Sequence, residues 1–151
     1  SSDLIMEKES FGYGACSFKL NSLFVRFRVA KITPKKIGQF VTLWKRIGSG
    51  AIQPYDIKDD LDFFVITTRS VDKFGQFVFP KAILCKHGIM SKNGNGGKLG
   101  IRVYPPWDIA VSYQAQKTQA WQLQYFLEVK EDKPIDYALA KKLYTPIDII
   151  L

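Results

Sequence analysis

Basic residues dominate the part of the chain between Ser10 and Tyr55. This stretch contains eight Lys and Arg residues and no Asp or Glu, and the whole chain has a formal net charge of +8. A solvated surface usually mixes both signs of charge, because crowded like charges repel one another. Lys and Arg side chains neutralise phosphates, and an Arg guanidinium can bind two phosphate oxygens at once. The stretch therefore predicts an anionic partner, and DNA or RNA is the partner that we favour.

The residues that we expect to contact nucleic acid extend beyond this stretch. Further basic residues follow it with few acids among them, and aromatic side chains near basic ones can stack on unpaired bases. Trp107 follows two prolines at a predicted strand end, which would hold its ring at the surface, and packing of this ring on the core is the alternative. A generally basic, solvated face is the alternative interpretation. The predicted contacts are Lys31, Lys35, Lys36, Lys45, Arg46, Lys81, Lys98, Arg102, Trp107 and Lys117.

A cluster of aspartates between residues 56 and 62 is the candidate metal site. Magnesium nucleases hold their cation with two or three carboxylates and use a lysine to stabilise developing charge. Asp56 and Lys58 have the acid-x-Lys spacing, and Asp62 opens the next predicted strand. As an alternative function, these residues predict an Mg²⁺-dependent nuclease in which Asp56, Asp62, Lys58 and Lys81 are catalytic and Asp62 binds the metal. A solvated acidic turn is the competing interpretation, because acid-x-Lys matches are common by chance.

Several other chemistries lack the residues that they need. His87 is the sole histidine, and Cys16 and Cys85 have no metal-type spacing, so the sequence does not predict a zinc site. Two cysteines are too few for a disulfide scaffold, which favours a reducing cytoplasm. No apolar run approaches the ~20 residues of a membrane span. The first residues also lack the basic region and apolar core of a secretion signal. We therefore expect a cytoplasmic protein with no cofactor, unless it is a nuclease that uses Mg²⁺.

The elements that would position these residues are mostly strands. Strand composition covers residues 13–20, 23–32, 37–44, 63–68, 75–79 and 99–104. Alternation within Leu23–Ile32 puts Arg26 and Arg28 on one face, which we expect to be the wetter face. The Gly-Gln-Phe-Val sequence at residues 38–41 recurs at residues 75–78, which two strands of similar composition would explain.

Helices are expected mainly after these strands. A short one is predicted over residues 80–87, and a longer one over residues 118–128. A third would begin near Asp132 as its N-cap, with Pro134 in its first turn. Strands first and helices late favour an α+β protein with a mainly antiparallel or mixed central sheet flanked by a few helices.

Long motifs of this chain resemble the MepB family of small bacterial proteins. They are Phe27 to Arg46, Phe74 to Lys81 and Ile101 to Asp108, continued by residues 114–119. Because the resemblance covers nearly the whole chain, it predicts one domain over residues 1–151. The family looks like a relative of restriction-endonuclease-type folds, which would imply nucleic-acid binding and could imply metal-dependent phosphodiester cleavage.

The chain departs from the nuclease pattern that this resemblance implies. Those nucleases place an acid, and then an acid-x-Lys, on adjacent central strands. After Asp62, the neighbouring strand offers Gln76-Phe77-Val78 instead. The leading hypothesis is therefore a nucleic-acid-binding protein that uses a basic face on an endonuclease-like scaffold and has lost catalysis. The alternatives are the Mg²⁺-dependent nuclease and a basic adaptor that docks an acidic protein.

Overall fold

The computed structural model describes residues 3–6, 16–20, 23–130 and 132–144, and it describes side chains from residue 23 onward. These residues form strands, three α-helices and one 3-10 turn over Leu123–Tyr125. The strands are β1 (Asp3–Met6), β2 (Cys16–Leu20), β3 (Leu23–Val29), β4 (Lys31–Thr33), β5 (Lys36–Thr42), β6 (Trp44–Arg46), β7 (Ile52–Pro54), β8 (Phe63–Ser70), β9 (Lys73–Pro80), β10 (Gly100–Val103) and β11 (Phe126–Val129). The helices are α1 (Lys81–Lys86), α2 (Tyr113–Gln122) and α3 (Tyr137–Tyr144).

The largest sheet has six strands in the order β1-β2-β3-β8-β9-β11. Strands β3 and β8 run parallel, and the other neighbours in this sheet are antiparallel. This mixed sheet with three helices confirms the predicted α+β class. The proposed likeness to restriction endonucleases stays a prediction. Within the described residues, no helix is long and apolar enough to cross a membrane.

Both faces of the central strand β8 are buried. Phe64 and Ile66 pack into the larger core cluster, whereas Phe63 and Val65 pack into a second cluster that includes Leu143 of α3. Successive side chains of a strand point to opposite faces of the sheet. A strand covered on both faces needs apolar residues at nearly every position, which explains why Phe63–Ile66 of the predicted strand are all apolar.

A smaller sheet, in the order β10-β5-β4, lies beside the larger core. Its inner face contributes Val41, Ile101 and Val103 to the core cluster. The alternate positions, among them Phe40 and Arg102, therefore belong to the outer face. Two further strands, β6 and β7, pair with each other as an antiparallel hairpin.

The helix predicted over residues 118–128 is only partly correct. Helix α2 begins earlier, at Tyr113, with the Ser112 hydroxyl accepting a hydrogen bond from the Ala115 N–H at 3.1 Å. It ends at Gln122, and residues 126–129 form β11, which pairs with β9. Phe126 is buried on that strand. The tertiary contacts of this edge strand therefore override the local helical tendency.

The predicted N-cap of the last helix was also wrong. The Asp136 carboxylate accepts a hydrogen bond from the Leu139 N–H at 3.0 Å, and α3 starts at Tyr137. Asp132 is exposed and lies outside the helix. Asp136 therefore has the capping role that the sequence analysis gave to Asp132.

Arg28 does not lie on a wet face, contrary to the expectation from the alternation. Its side chain is 0% exposed, and its guanidinium lies 5.2 Å from the centre of the Phe64 ring. It donates hydrogen bonds to the Phe27 carbonyl and, at 3.4 Å, to the Tyr55 hydroxyl. The period of two was correct, but this face of β3 packs against the larger core and not against solvent.

Candidate nucleic-acid interface

A groove of about 500 Å³ is lined by residues of the β10-β5-β4 sheet, of helix α2 and of the segment that contains His87 and Ile89. Three of the predicted phosphate contacts, Lys36, Lys98 and Arg102, line it together. Among the described residues that line the groove, none is Asp or Glu. The rest of the lining is aromatic, polar or small and apolar: Phe40, His87, Ile89, Gly100, Ile101, Tyr104, Ser112, Gln114, Ala115, Thr118, Trp121 and Gln122.

The register of the small sheet places its charged and aromatic side chains in one row. Phe40 on β5 lies opposite Arg102 on β10 and opposite Lys31 on β4. Directly opposite residues share a face, with Cβ atoms about 4.5–5.5 Å apart. Lys36 on β5 lies opposite Thr33 of β4 and lines the groove together with Phe40 and Arg102. This face therefore presents cations on both sides of an aromatic ring.

The Arg102 side chain is held in place by the end of β4 and the start of β5. Its Nη1 donates to the Thr33 hydroxyl at 3.0 Å, to the Gly38 carbonyl at 3.2 Å and to the Ile37 carbonyl at 3.3 Å. A guanidinium carries five N–H donors in a rigid plane. Because these bonds all use Nη1, the donors on Nη2 and Nε are the ones that an incoming anion would meet.

Two glycines bring aromatic rings onto the surface of the small sheet. A Cβ added at Gly100 would lie 2.6 Å from the Phe40 ring, and one added at Gly38 would lie 2.8 Å from the Tyr104 ring. Both rings therefore rest directly on glycine backbone, and we call this pair the aromatic floor. Gly38 also has a φ of +85°, which non-glycine residues rarely adopt.

The recurring Gly-Gln-Phe-Val sequence has a related explanation. A Cβ at Gly75 would collide with the ring of Phe126 from the neighbouring strand β11. At both sites, the glycine of the repeat leaves room for an aromatic ring from an adjacent strand or its extension. The repeat thus marks two close contacts between ring and backbone.

His87 and Trp121 form a stacked pair at one wall of the groove. Their ring centres are 3.9 Å apart and their planes differ by 9°. Burial lowers the pKa of His87, and the charges of Lys86 and Lys98 lower it further. The contact between His87 and Trp121 joins residues far apart in the chain, so no local sequence signal reveals it.

Gln122 fixes the wall formed by α2 against the small sheet. The side chain is 1% exposed, and its amide oxygen accepts from the Tyr104 N–H at 2.9 Å. Its amide nitrogen donates to the Arg102 carbonyl at 3.0 Å. The side chain thus continues the hydrogen bonding of β10 as a strand partner would, and it sets the spacing between the two walls.

The predicted contacts at Lys45, Lys81 and Arg46 do not line the groove. Lys45 forms an ion pair with Asp59, with Nζ 2.6 Å from the carboxylate. The ammonium group of Lys81 donates to the Asp59 carbonyl at 3.1 Å, and Arg46 donates to the Gly50 carbonyl at 2.8 Å. These bonds compete with phosphates for the same donors.

The remaining predicted contacts are exposed residues outside the groove lining, apart from Trp107, which packs on the core. Lys31 and Lys35 are exposed on β4 and on the turn that follows it. Lys117 is exposed on α2, and its ammonium group lies 5.5 Å from the centre of the Tyr113 ring. Trp107 packs against the larger core, with its ring centre 5.8 Å from that of Phe126. That packing does not suit the base-stacking role predicted for Trp107.

The predicted catalytic carboxylates of Asp56 and Asp62 bind main-chain groups. Asp56 accepts from the Ser91 hydroxyl at 2.7 Å and from the N–H groups of Gly94 and Lys58. These bonds lower its pKa to about 2. Asp62 accepts from the Phe24 N–H at 2.7 Å, which joins the start of β8 to β3.

A metal centre is not visible in this cluster. No group of three or more His, Cys, Asp or Glu side chains suited to a metal ion occurs within residues 23–130 and 132–144. The magnesium site, with Asp62 as its ligand, stays a prediction. In the structure these carboxylates hold turns and strand ends.

These features define an α+β protein with a basic and aromatic groove on a small sheet. The family model described as MepB-like matches residues 7–128, and the chain belongs to this family. A crystal structure of MepB is similar, with 35% sequence identity, a TM-score of 0.80 and coverage of 87% of each chain. A search of curated proteins found no match.

Proposed function

We propose that this protein binds nucleic acid through the groove between the small sheet and α2. The observation that carries this proposal is the convergence of Lys36, Lys98 and Arg102 on a lining without acids among the described residues. Each cation that neutralises a phosphate releases counterions from the nucleic acid, which supplies most of the affinity of non-specific binding.

The groove also offers the contacts that bases and sugars need. The rings of Phe40 and Tyr104 can stack on bases, and the amide and hydroxyl groups of Gln114 and Thr118 can form hydrogen bonds. A site for a small inorganic anion would need only the cations. The mixture of cations, rings and amides favours a nucleic acid, either DNA or RNA, because both carry phosphates, sugars and bases.

The free, buried thiol of Cys85 fits a cytoplasmic location.

The test is to measure binding of a fluorescein-labelled oligonucleotide by anisotropy in increasing salt. If the three cations of the groove each neutralise one phosphate, the slope of log K against log salt is roughly −2 to −3. Lys36→Glu reverses one of these charges, and we expect it to weaken binding about tenfold or more.

Lys73→Glu is the matched control, because it makes the same change of charge outside the groove. Lys73 lies at the start of β9 in a cleft that Asp72, Glu128 and Asp132 also line. We expect it to change the affinity by less than about threefold. Binding that does not respond to salt, or equal losses from Lys36→Glu and Lys73→Glu, would contradict the proposal.

A further inference from the structure

We propose that the groove selects single-stranded nucleic acid, with an unpaired base stacked on the aromatic floor and the adjoining phosphate bound by Arg102. This inference rests on the proposed function and names the form of nucleic acid that the site accepts. It follows from the shape of the site, the position of its rings and the distribution of its cations.

The shape of the groove suits a flexible strand better than a duplex. Its volume of about 500 Å³ is typical of a pocket for one small organic group. Proteins that read duplex DNA insert a protruding helix or ribbon into the major groove, whereas this site is concave. A duplex would therefore contact only the rim of the groove. Its stacked bases would stay out of reach of Phe40 and Tyr104.

The aromatic floor is positioned for stacking. Phe40 rests on Gly100 and Tyr104 rests on Gly38, so the backbone of the sheet supports both rings from below. Stacking of a base on an aromatic side chain raises affinity roughly 5- to 100-fold. Arg102 lies directly opposite Phe40, which puts a phosphate donor beside the ring that a base would cover.

Two glutamines of the α2 wall have different surroundings. Gln122 is buried and uses both ends of its amide on β10. Gln114 also lines the groove and is exposed. Its amide can therefore donate to or accept from the Watson–Crick edge of a base, which an unpaired base exposes and a paired base does not.

Further basic residues are exposed outside the space that a single nucleotide would fill. Lys31 is exposed on β4 next to Phe40, and Lys117 is exposed on α2 at the other wall. A strand of several nucleotides would pass these side chains as it leaves the groove. A free mononucleotide has no second phosphate that could reach Lys31 or Lys117. The charge distribution therefore favours a strand over a free nucleotide.

The experiment compares a labelled 12-nucleotide single strand with a blunt duplex of the same sequence, at one salt concentration. We expect the single strand to bind at least about tenfold more tightly. Phe40→Leu should remove most of this preference, whereas Phe40→Tyr keeps a ring and should retain it. Phe74→Leu is the matched control, because Phe74 lies on β9 with its ring 4.9 Å from the Arg69 guanidinium and does not line the groove.

The outcomes separate this inference from the proposed function. Equal or tighter binding of the duplex, with Lys36→Glu still harmful, would overturn the preference for single strands and leave nucleic-acid binding standing. Loss of the effect of Lys36→Glu would overturn both. Competition by a mononucleotide as effective as that by the oligonucleotide, or a Phe40→Leu protein that folds and retains the preference, would also overturn this inference.

Discussion

Replacement of Gly100 by alanine tests whether the aromatic floor depends on bare backbone. The new Cβ would lie 2.6 Å from Phe40 Cζ and 2.9 Å from the Val41 carbonyl oxygen. Gly100 is not among the residues with positive φ, so the alanine would not strain the backbone dihedral angles. The effect of Gly100→Ala would therefore come from the steric contact alone.

The expected size of the effect follows from these distances. Carbon atoms in contact are normally about 3.5–4.0 Å apart, so the tip of the Phe40 ring must move by about 1 Å. Overpacking of this kind costs roughly 1–3 kcal/mol. The lower entropy of the unfolded chain returns about 0.4–1 kcal/mol. The middle values of these two ranges leave a net loss of about 1.3 kcal/mol in the free energy of unfolding of Gly100→Ala.

The same displacement should weaken binding of a single-stranded oligonucleotide. A ring tilted out of the floor loses much of a stacking contact, which is worth roughly 5- to 100-fold in affinity. Urea denaturation would measure the change in stability, and fluorescence anisotropy would measure the change in affinity for the folded protein.

Gly50→Ala is the control for this experiment. Gly50 also lies outside the positive-φ residues, and its added Cβ would meet only the Ile47 carbonyl, at 3.2 Å. We expect it to change the stability by about 0.5 kcal/mol or less and to leave binding unchanged. If Gly100→Ala matched Gly50→Ala in both measurements, the reasoning about the aromatic floor would be refuted.

Three further predictions concern pH and metal ions. Burial lowers the pKa of His87, and a bound anion would raise it, so oligonucleotide affinity should increase as the pH falls from about 8 to about 5. His87→Gln should flatten this dependence, and an unchanged pH profile in the variant would contradict it. The pKa of Asp56 is lowered from 3.8 to about 2, so its contribution to stability is complete above the ordinary value and is lost as the pH falls from 3.8 towards 2. Asp56→Asn should therefore lower the thermal midpoint at neutral pH much more than near pH 2, and an equal loss at both would refute this. Because Asp56 and Asp62 accept hydrogen bonds from main-chain N–H groups, supercoiled plasmid should stay intact with Mg²⁺ or Mn²⁺; nicking that Asp62→Asn abolishes would favour the nuclease alternative.

The fold class could be predicted because its signals are local. Residues 63–68 were predicted as a strand from their composition, and the structure places that strand at the centre of the large sheet. The alternation at Arg26 and Arg28 was correct as well, but alternation alone does not show which face is buried. Residues 126–128 were predicted as helix and are strand, because the pairing of β11 with β9 depends on residues about fifty positions earlier in the chain.

The sequence indicated which residues carry positive charge, but it showed only in part which of them line the same groove. Lys36, Lys98 and Arg102 converge on one groove, which their spacing in the sequence does not reveal. Lys45 was predicted as a phosphate contact, but Asp59 holds its ammonium group. The stacking of His87 on Trp121 depends on where α2 packs, and so the sequence analysis missed it.

The most direct test of the account is the salt dependence of oligonucleotide binding in single-charge variants of the groove. Neutralising a side chain that contacts a phosphate removes one ion pair, so Lys36→Gln and Arg102→Gln should each reduce the slope of log K against log salt by about 0.7–0.9. Lys73→Gln, which lies outside the groove, should leave the slope unchanged. Slopes that stay the same in both groove variants, or that fall equally in Lys73→Gln, would contradict the claim that this groove binds the nucleic-acid backbone.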